Sequence, residues 1–371
     1  MSIRTGSVAA LALVAIAPRL LLAADAAATK PAAASWADTL TAWGITANGY
    51  IAASYYASNG YPFNIHQFDV NHNSFQLDEA GFSVAYQPKQ GFGALVDVMA
   101  GEDAKILNAA ENGSGVFDIR QAFIQYATGP LTVVGGKLLT LAGAEVINPT
   151  QNTNFSRSLL FFENEPLTHT GIRATYALSD TFSVIGGVNN GWNVMSTSSG
   201  SKTGEAGIAW TPNKIFSLTT QAYFGKMQPT DAERTLIDVV ATYNATSALT
   251  FILNVDWDQQ AQAFGTGIPG TATWYGAAGY ANYAFNSQWR VSGRLEYLDD
   301  RDGFATGAAQ HLWEGTVTFG YAPTSNFELR LEGRYDTAQV DTFFKTKSAI
   351  LALTPDGDSL SQIAIQGVFK F

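Results

Sequence analysis

Residues 327–337 alternate between apolar or small and charged side chains without a break. On an extended strand, successive side chains point to opposite faces, so the two sets separate. One face carries Phe327, Leu329, Leu331, Gly333 and Tyr335, and the other carries Glu328, Arg330, Glu332, Arg334 and Asp336. A face with five charged groups needs water beside it. Trp289–Leu298 and Leu249–Asp258 repeat the pattern, so the sequence predicts several strands with one apolar and one hydrated face.

The last nine residues indicate what the apolar faces contact. One face carries Ile363, Ile365, Gly367, Phe369 and Phe371, and the other carries Gln362, Gln366 and Lys370. A terminal aromatic residue suits a membrane interface, and this ending is typical of the closing strand of a bacterial outer-membrane β-barrel. An ordinary amphipathic strand is the alternative. In a barrel, Phe369 and Phe371 would form the membrane-assembly signal that the barrel-assembly machinery binds.

The first residues are typical of an export signal. Arg4 precedes an apolar run from Val8 to Ala17, and small residues follow at 23–26. We predict a cleaved signal peptide at residues 1–24, with the cut after Ala24 or Ala26, and localisation in a Gram-negative outer membrane. Residues 25–42 would be a periplasmic lead-in, in which Ser35–Trp43 forms either a short helix or a flexible segment.

Composition narrows the fold class. Outside the signal, no stretch approaches the 18 or more apolar residues of a membrane-spanning helix. The chain has 35 glycines, 12% aromatic residues and only 14% charged residues, which favours an all-β fold over disorder or helices. With no cysteine, it forms no disulfide or thiolate site. Loss of Arg4 and Arg19 with the signal reduces 21 basic residues to 19 against 31 acidic ones, and a net charge of −12 argues against a nucleic-acid partner.

Short and long connections alternate along the chain. The short turns are Pro88–Gly91, Thr128–Pro130, Ser179–Asp180, Thr211–Lys214, Ala245–Ser247, Asn286–Ser287 and Pro323–Asn326. The long connections are Ser58–His72, Glu102–Ser114, Leu139–Leu167, Gly191–Lys202, Met227–Glu233, Gln259–Gly270, Asp299–Gln310 and Ala338–Ser359. Seven turns and eight long connections separate sixteen strands. We therefore predict an all-β transmembrane antiparallel up-and-down β-barrel over residues 43–371, in outer-membrane lipid, with short periplasmic turns and long extracellular loops.

The third long connection carries the most specific sequence pattern. The residues concerned are Gly136–Lys137, Gly143–Glu145, Asn152–Phe161, Pro166, His169–Arg173, Asn189–Trp192, Asn73–Leu77 and the Phe369–Phe371 ending. In these residues the chain resembles the type 2, OmpL-like family of β-barrel porins over nearly its whole mature length. The resemblance implies an outer-membrane porin fold, passive diffusion of small hydrophilic solutes and ions, and no cofactor. Because related porin folds often form trimers, a homotrimer is one expected assembly and a monomer is the other.

Leu139–Leu167 is the predicted constriction loop. In the general porins, which this layout is similar to, the third loop folds into the barrel and narrows it. Here the loop carries the charged residues Glu145, Arg157, Glu163 and Glu165. Its apolar run at 159–162 should pack against the barrel interior, because exposed apolar surface is unfavourable. Arg157 either pairs with a loop carboxylate or faces solvent.

Five arginines are predicted to line the pore wall: Arg173, Arg290, Arg294, Arg330 and Arg334. If the loop glutamates face them, a transverse field would select solutes by charge. In the alternative, the arginines pair with lumenal neighbours in a structural ladder, which would use Glu296, Glu314, Glu328, Glu332 and Asp336. Further acids at Glu205, Asp238, Asp256 and Asp258 favour cations.

The remaining aromatic and histidine residues suggest no chemistry. Tyr50, Tyr56 and Tyr223 could point into the lumen. The other aromatic residues near strand ends or lipid faces are predicted to form interfacial girdles: Trp210, Trp257, Trp274, Trp289, Trp313, Tyr55, Tyr86, Tyr297, Tyr321 and Phe369. His66 and His72 share a loop near Asp69, which is either solvated or a weak metal site. No nucleophile elbow or paired-histidine motif appears, so we assign no catalytic, cofactor or metal residue. A plugged barrel serving as a surface receptor or anchor is the alternative function, and a barrel enzyme is the third.

Overall fold

A computed structural model describes residues 40–227, 232–261 and 270–371. It contains sixteen strands: β1 Ile45–Ser58, β2 Ser74–Tyr86, β3 Gly91–Ala100, β4 Phe117–Thr128, β5 Leu131–Leu139, β6 Thr168–Ser179, β7 Phe182–Asn189, β8 Thr203–Trp210, β9 Phe216–Met227, β10 Ala232–Asn244, β11 Leu249–Gln260, β12 Ala272–Ala284, β13 Trp289–Asp300, β14 Gln310–Thr324, β15 Phe327–Ala338 and β16 Ser359–Lys370. The predicted signal peptide and nearly all of the lead-in, including the start of the Ser35–Trp43 segment, lie outside the described residues and stay predictions.

The strands form one closed ring. Each strand pairs antiparallel with its neighbours in sequence, and β1 pairs with β16 to complete the circle. At this junction Ile51 lies opposite Phe369 and Tyr56 lies opposite Ala364. The predicted sixteen-stranded antiparallel barrel is confirmed.

The connections alternate in length as predicted, except that the fifth connection predicted to be long has four residues and is no longer than the turn at 245–248. We number the eight connections predicted to be long as loops 1 to 8: residues 59–73, 101–116, 140–167, 190–202, 228–231, 261–271, 301–309 and 339–358. Within the described residues, loop 2 contains α1 (Glu102–Ala110), loop 3 contains a 3₁₀ helix (Pro149–Gln151) and α2 (Leu159–Glu163), and loop 8 contains α3 (Lys347–Ala352). No helix in the described ranges is long and apolar enough to cross a membrane.

Alternation along each strand separates the two environments. On β15, Leu329, Leu331 and Tyr335 are exposed on the outside of the barrel, while Arg330 and Arg334 are buried inside it. The same rule explains why β16 exposes its isoleucines and buries its glutamines. The barrel interior is therefore a polar, hydrogen-bonded region and its exterior an apolar surface, as in other membrane barrels.

Trp274 departs from the predicted girdle. Most of the predicted girdle aromatics are exposed or half-buried, but Trp274 is 1% exposed and points into the barrel. Its indole N–H donates to the carbonyl of Glu163 (3.2 Å), and its ring stacks on Phe304 (5.0 Å). The prediction failed because β12 carries small or apolar residues on both faces, so alternation alone does not define its inward face. Tyr50, Tyr56 and Tyr223 point inward, as predicted.

Candidate pore constriction

Loop 3 lies inside the barrel and contacts the inward faces of several strands. The side-chain amide of Asn154 donates to Thr318 Oγ1 on β14 (2.7 Å), and the backbone N–H of Ala144 donates to Asn254 Oδ1 on β11 (2.7 Å). The apolar run packs inward in α2, where Leu159 and Leu160 are completely buried against residues of β12 to β14. The helix begins after Ser158, whose hydroxyl oxygen accepts a hydrogen bond from the N–H of Phe161 (3.0 Å) and so caps it.

Arg157 holds the loop in shape through backbone carbonyls. Its Nε donates to Val146 O (2.9 Å), and its two terminal nitrogens donate to Phe155 O (2.8 Å) and Ile147 O (2.7 Å). The guanidinium is buried, and it makes no ion pair with a carboxylate in the described part of the chain. Arg157 thus fixes the shape of the loop, but through carbonyls rather than through the predicted loop carboxylate, because the sequence gives no sign that carbonyls converge at this point.

Arg294, on β13, connects the wall to the loop. Its Nη1 donates to Glu145 Oε1 (2.8 Å) and to the carbonyl of Ser156 (2.9 Å), both in loop 3. Its Nε donates to Glu314 Oε2 on β14 (3.0 Å), and the side chain is completely buried. A buried guanidinium with this many partners fixes the relative position of the segments that it joins.

Arg334 makes the same kind of connection from β15. Its Nη2 donates to Asp336 Oδ1 (2.7 Å), and its Nη1 donates to the carbonyl of Arg157 (2.6 Å). The wall arginine therefore neutralises a neighbouring acid and binds the loop backbone at once.

Arg290 and Arg330 share one carboxylate on the same side. Arg290 Nε and Arg330 Nε donate to the two oxygens of Glu328 at 2.6 and 2.8 Å. Arg290 also donates to the carbonyl of Thr153 in loop 3 (2.7 Å). These contacts resemble the structural ladder more than a row of free charges, because each guanidinium has an acidic partner.

Lumenal carboxylates hold the loop backbone from the same wall. Glu332 accepts hydrogen bonds from the N–H groups of Phe155 (2.6 Å) and Ser156 (2.9 Å). Glu296 accepts one from the N–H of Leu159 (2.7 Å). Alternation along the strands places these acids in the lumen but does not predict that they bind main-chain amides, because a main-chain donor leaves no trace in residue type.

Arg173, on β6, lies at the base of the loop. Its Nε donates to Glu205 Oε1 on β8 (2.6 Å), and its Nη2 donates to the carbonyl of Leu139, where the loop begins (3.1 Å). Arg173 therefore lies far around the ring from the other four arginines. It anchors the base of loop 3 rather than its tip.

The three loop glutamates lie in different surroundings. Glu145 contacts the arginine wall, whereas Glu163 and Glu165 lie toward β10 to β12. One oxygen each of Glu165, Asp238 and Asp256 can be chosen so that all three lie within 4.8 Å of one another. Of the three glutamates, Glu145 alone meets the arginine wall, and it does so in a direct ion pair with Arg294 rather than across an open pore.

A cavity of about 600 Å³ opens beside this acidic region. Residues of loops 2, 3 and 4 and the loop ends of β9 and β10 line it, including Glu163, Glu165, Trp192 and Arg234. Glu163 lines this space, and its Oε1 is buried without a hydrogen-bond partner among the described residues. The cavity is large enough for a small hydrated solute.

His66 anchors loop 1 inside the barrel mouth. Its Nδ1 lies 2.7 Å from Asp69 Oδ2, and its Nε2 lies 3.1 Å from Asp336 Oδ2 on β15. Burial lowers the pKa of His66, as does Arg334, but the two carboxylates more than offset both and raise that pKa above its ordinary value. The expectation of a solvated loop is wrong at His66, which is buried.

The barrel part of the chain matches a family of known proteins. Residues 44–371 match the family described as "Putative beta-barrel porin-2, OmpL-like". The chain belongs to this porin family. The porin is therefore a passive outer-membrane channel. This result confirms the predicted family, the predicted outer-membrane location and the predicted channel function.

Solved structures share the porin's fold at low sequence identity. The outer membrane channel DcaP of Acinetobacter baumannii aligns with a TM-score of 0.59 at 10% identity, covering 88% of this chain and 97% of that one. The anion-selective porin from Comamonas acidovorans gives 0.60 at 11%, with 88% and 99% covered. A trimer form of OmpT from Vibrio cholerae gives 0.60 at 11%, with the same coverage. No curated protein matches this chain.

Proposed function

We propose that loop 3 forms the constriction of this channel and that small hydrophilic solutes and ions pass between the loop and the β9–β10 part of the wall. The observation that carries the proposal is the cavity of about 600 Å³ between Glu163 and Glu165 of loop 3 and the loop ends of β9 and β10. Arginines hold loop 3 to β13 through β15, and hydrogen bonds of Leu141, Ala144 and Asn164 connect it to β9 and β11. The barrel lumen would then be divided into a closed half and a conducting half.

The charges beside the cavity favour cations. The wall arginines are neutralised by acids on β14 and β15, so they contribute little net field to the conducting half. Glu163 and Glu165 line the cavity with one basic residue, Arg234. A path bordered by more acids than bases concentrates cations and repels anions.

Single-channel recording of the refolded barrel in a planar bilayer tests this proposal. Under a salt gradient we expect stepwise openings with a reversal potential that indicates cation preference. Burial, and then the charge of Asp300, raise the pKa of Glu163 well above its ordinary value, so the recordings are made at alkaline pH. E163Q should reduce the cation preference, because it removes a negative charge that faces the path.

Two further variants serve as controls. R234Q should increase the cation preference, since it removes the basic residue of the cavity lining. D341N changes an exposed acid in loop 8 and should leave the reversal potential unchanged. Anion preference in the wild-type protein, or equal shifts in E163Q and D341N, would contradict the proposed path.

A barrel closed by its loops and used as a receptor or anchor is the second candidate. Ile65 of loop 1, Leu160 of loop 3 and Phe343 of loop 8 meet in one buried cluster at the loop end of the barrel. The absence of conductance from a folded, heat-modifiable protein would favour this function.

The other components of the proposal concern processing and assembly. Residues 1–24 would be removed on export, and the barrel-assembly machinery would bind the closing strand at Phe369 and Phe371. The mature protein would form a homotrimer, a state that one compared porin adopts. Diffusion through a pore breaks no covalent bond, so the proposed function requires no catalytic residue or cofactor.

A further inference from the structure

Two aspartates face each other on β10 and β11. Asp238 and Asp256 are direct partners in the strand register, and both are completely buried inside the barrel. The side-chain amide of Asn254 donates to Asp238 Oδ2 (2.8 Å) and to Asp256 Oδ1 (3.2 Å). Asp256 Oδ2 has no hydrogen-bond donor among the described residues. Like charges directly opposite each other destabilise a strand pair unless something neutralises them.

A third carboxylate reaches the pair from a different element. Glu165 of loop 3 is 6% exposed, and it has no hydrogen-bond partner in the described ranges. One oxygen from each of the three carboxylates lies within 4.8 Å of the other two. Gly143 permits this approach: its φ is +89°, and a Cβ there would lie 1.9 Å from Glu165 Oε2. The loop backbone thus leaves room for an unpaired glutamate aimed at two unneutralised aspartates.

These three acids differ from the carboxylates that pair with the wall arginines. On the arginine wall, Glu314, Glu328 and Asp336 each pair with a guanidinium. No Lys, Arg or His within the described residues makes an ion pair with Glu165, Asp238 or Asp256.

The basic side chain that lines the same cavity as Glu165 has other partners. Arg234 Nε donates to Gln260 Oε1 (2.7 Å), and its guanidinium lies 5.0 Å from the ring of Trp192 and 5.3 Å from that of Trp274. Buried carboxylates are stable when they are paired, protonated or bound to a cation. The cluster therefore has a place for a positive charge that the protein itself does not supply.

We propose that Glu165, Asp238 and Asp256 bind a divalent cation, and that this cation is Ca²⁺. Oxygen ligands alone select a hard cation. Ca²⁺ accepts six to eight oxygen ligands in irregular geometry at about 2.3–2.6 Å, whereas Mg²⁺ demands near-octahedral geometry and keeps most of its water ligands. The three carboxylate oxygens all lie within 4.8 Å of one another, so one ion could contact all three. The adjacent cavity, which Glu165 lines, provides an entry path and room for water ligands.

The bound ion would fasten loop 3 to a second side of the barrel. Arginines hold the loop to β13 through β15, and Ca²⁺ would add an ionic connection to β10 and β11, where Ala144 and Asn164 already donate hydrogen bonds to Asn254 and Asp258. Binding depends on the folded loop and wall rather than on conduction, so this inference holds or fails independently of the proposed function.

Calorimetric titration of CaCl₂ into the EDTA-stripped full barrel in detergent micelles tests the proposal. We expect one saturable site per chain. The isosteric variants E165Q and D256N should weaken Ca²⁺ binding by about tenfold or more, because each removes a ligand charge. D341N, in loop 8, should bind like the wild type. Absence of saturable binding to folded protein, unchanged binding in both ligand variants, or equal affinity for Mg²⁺ would overturn the assignment.

Urea unfolding is a second test, because removing the Asp256 charge should raise the stability in EDTA but abolish the stability gained from Ca²⁺. In EDTA, D256N should be more stable than the wild type, because it removes one of two facing negative charges. In Ca²⁺, the wild type should gain stability and D256N should not. If D256N gained as much from Ca²⁺ as the wild type, the ion would bind elsewhere and the proposal would fail.

Discussion

Arg294 illustrates how much one lumenal side chain contributes to the stability of the folded barrel. Its guanidinium contacts Glu145 of loop 3 and Glu314 of β14, and it lies 2.6 Å from Glu296 on its own strand. Three carboxylates around one cation are stable only while the cation is present. Its removal leaves several buried charges without a partner, which costs more than the pairs themselves contribute.

We therefore predict that R294M lowers the free energy of unfolding by about 3–5 kcal/mol. The measurement is urea unfolding in detergent micelles, followed by tryptophan fluorescence. R301M is the matched control, because Arg301 is more than half exposed and lies 3.8 Å from Asp299. Exposed ion pairs contribute little, so R301M should unfold like the wild type. Equal destabilisation in the two variants would show that the buried network is not what stabilises this wall.

The sequence predicted that Arg294 points inward but not what it binds. Alternation along β13 assigns the side chain to the lumen, since the strand period is two. Its partner Glu145 is 149 positions away, and no local spacing encodes a contact between a loop and a distant strand. The same limit explains why the approach of Glu165 to Asp238 and Asp256 was not predicted.

At the scale of an element, the stability of loop 1 in its folded position depends on one histidine. Protonated His66 lies between Asp69 and Asp336, which raise its pKa as described above. Since the folded pKa exceeds the unfolded value, the stabilisation is complete below about pH 6.5 and is lost as pH rises through the raised pKa.

We expect hydrogen exchange of residues 60–70, corrected for the intrinsic effect of pH, to accelerate above that pKa. H66Q should exchange fast at every pH, because it cannot carry the charge. H72Q is the control, since His72 belongs to the same loop but contacts Ser58 and Tyr61 instead. Exchange that is equally slow at both ends of the pH range in the wild type would contradict this role for His66.

Strand prediction succeeded where the two faces differ in chemistry and failed where they do not. β15 separates charged from apolar residues, so its bounds and its inward face were both predicted. β12, with the sequence ATWYGAAGYANYA, was found as a strand, but its inward residue Trp274 was assigned outward. The position of loop 3 inside the barrel was predicted from its apolar run and from the likeness to general porins. Its shape was not predicted, because that shape depends on Arg157 and on main-chain contacts.

At the scale of the whole molecule, the barrel closes at its C-terminal residue. The backbone N–H and C=O of Phe371 both bond to Gly49 on β1, each at 2.9 Å. The Phe371 ring covers Gly49, where an added Cβ would lie 2.4 Å from a ring carbon. The predicted assembly signal is thus also part of the closing strand pair.

Deletion of Phe371 should lower the yield of folded barrel in the outer membrane several-fold, because the closing pair loses two hydrogen bonds and an aromatic contact. The heat-modifiable band in the outer-membrane fraction of an expressing Gram-negative host is the measurement. F371Y keeps the ring and both hydrogen bonds, so it should assemble like the wild type. An equal yield from the deletion variant would rule out this role for the residue.

Closure of the ring has a consequence for covalent damage. Every strand has a hydrogen-bonded neighbour on each side, so a single proteolytic cut in a loop breaks the chain without removing any strand from its partners. The two fragments would remain one non-covalent particle, as in a split protein. A chain that lacks β16 is different, because it exposes two unpaired edges that can recruit strands from other molecules. A nicked molecule therefore stays a closed barrel dispersed in the membrane, whereas a truncated one aggregates.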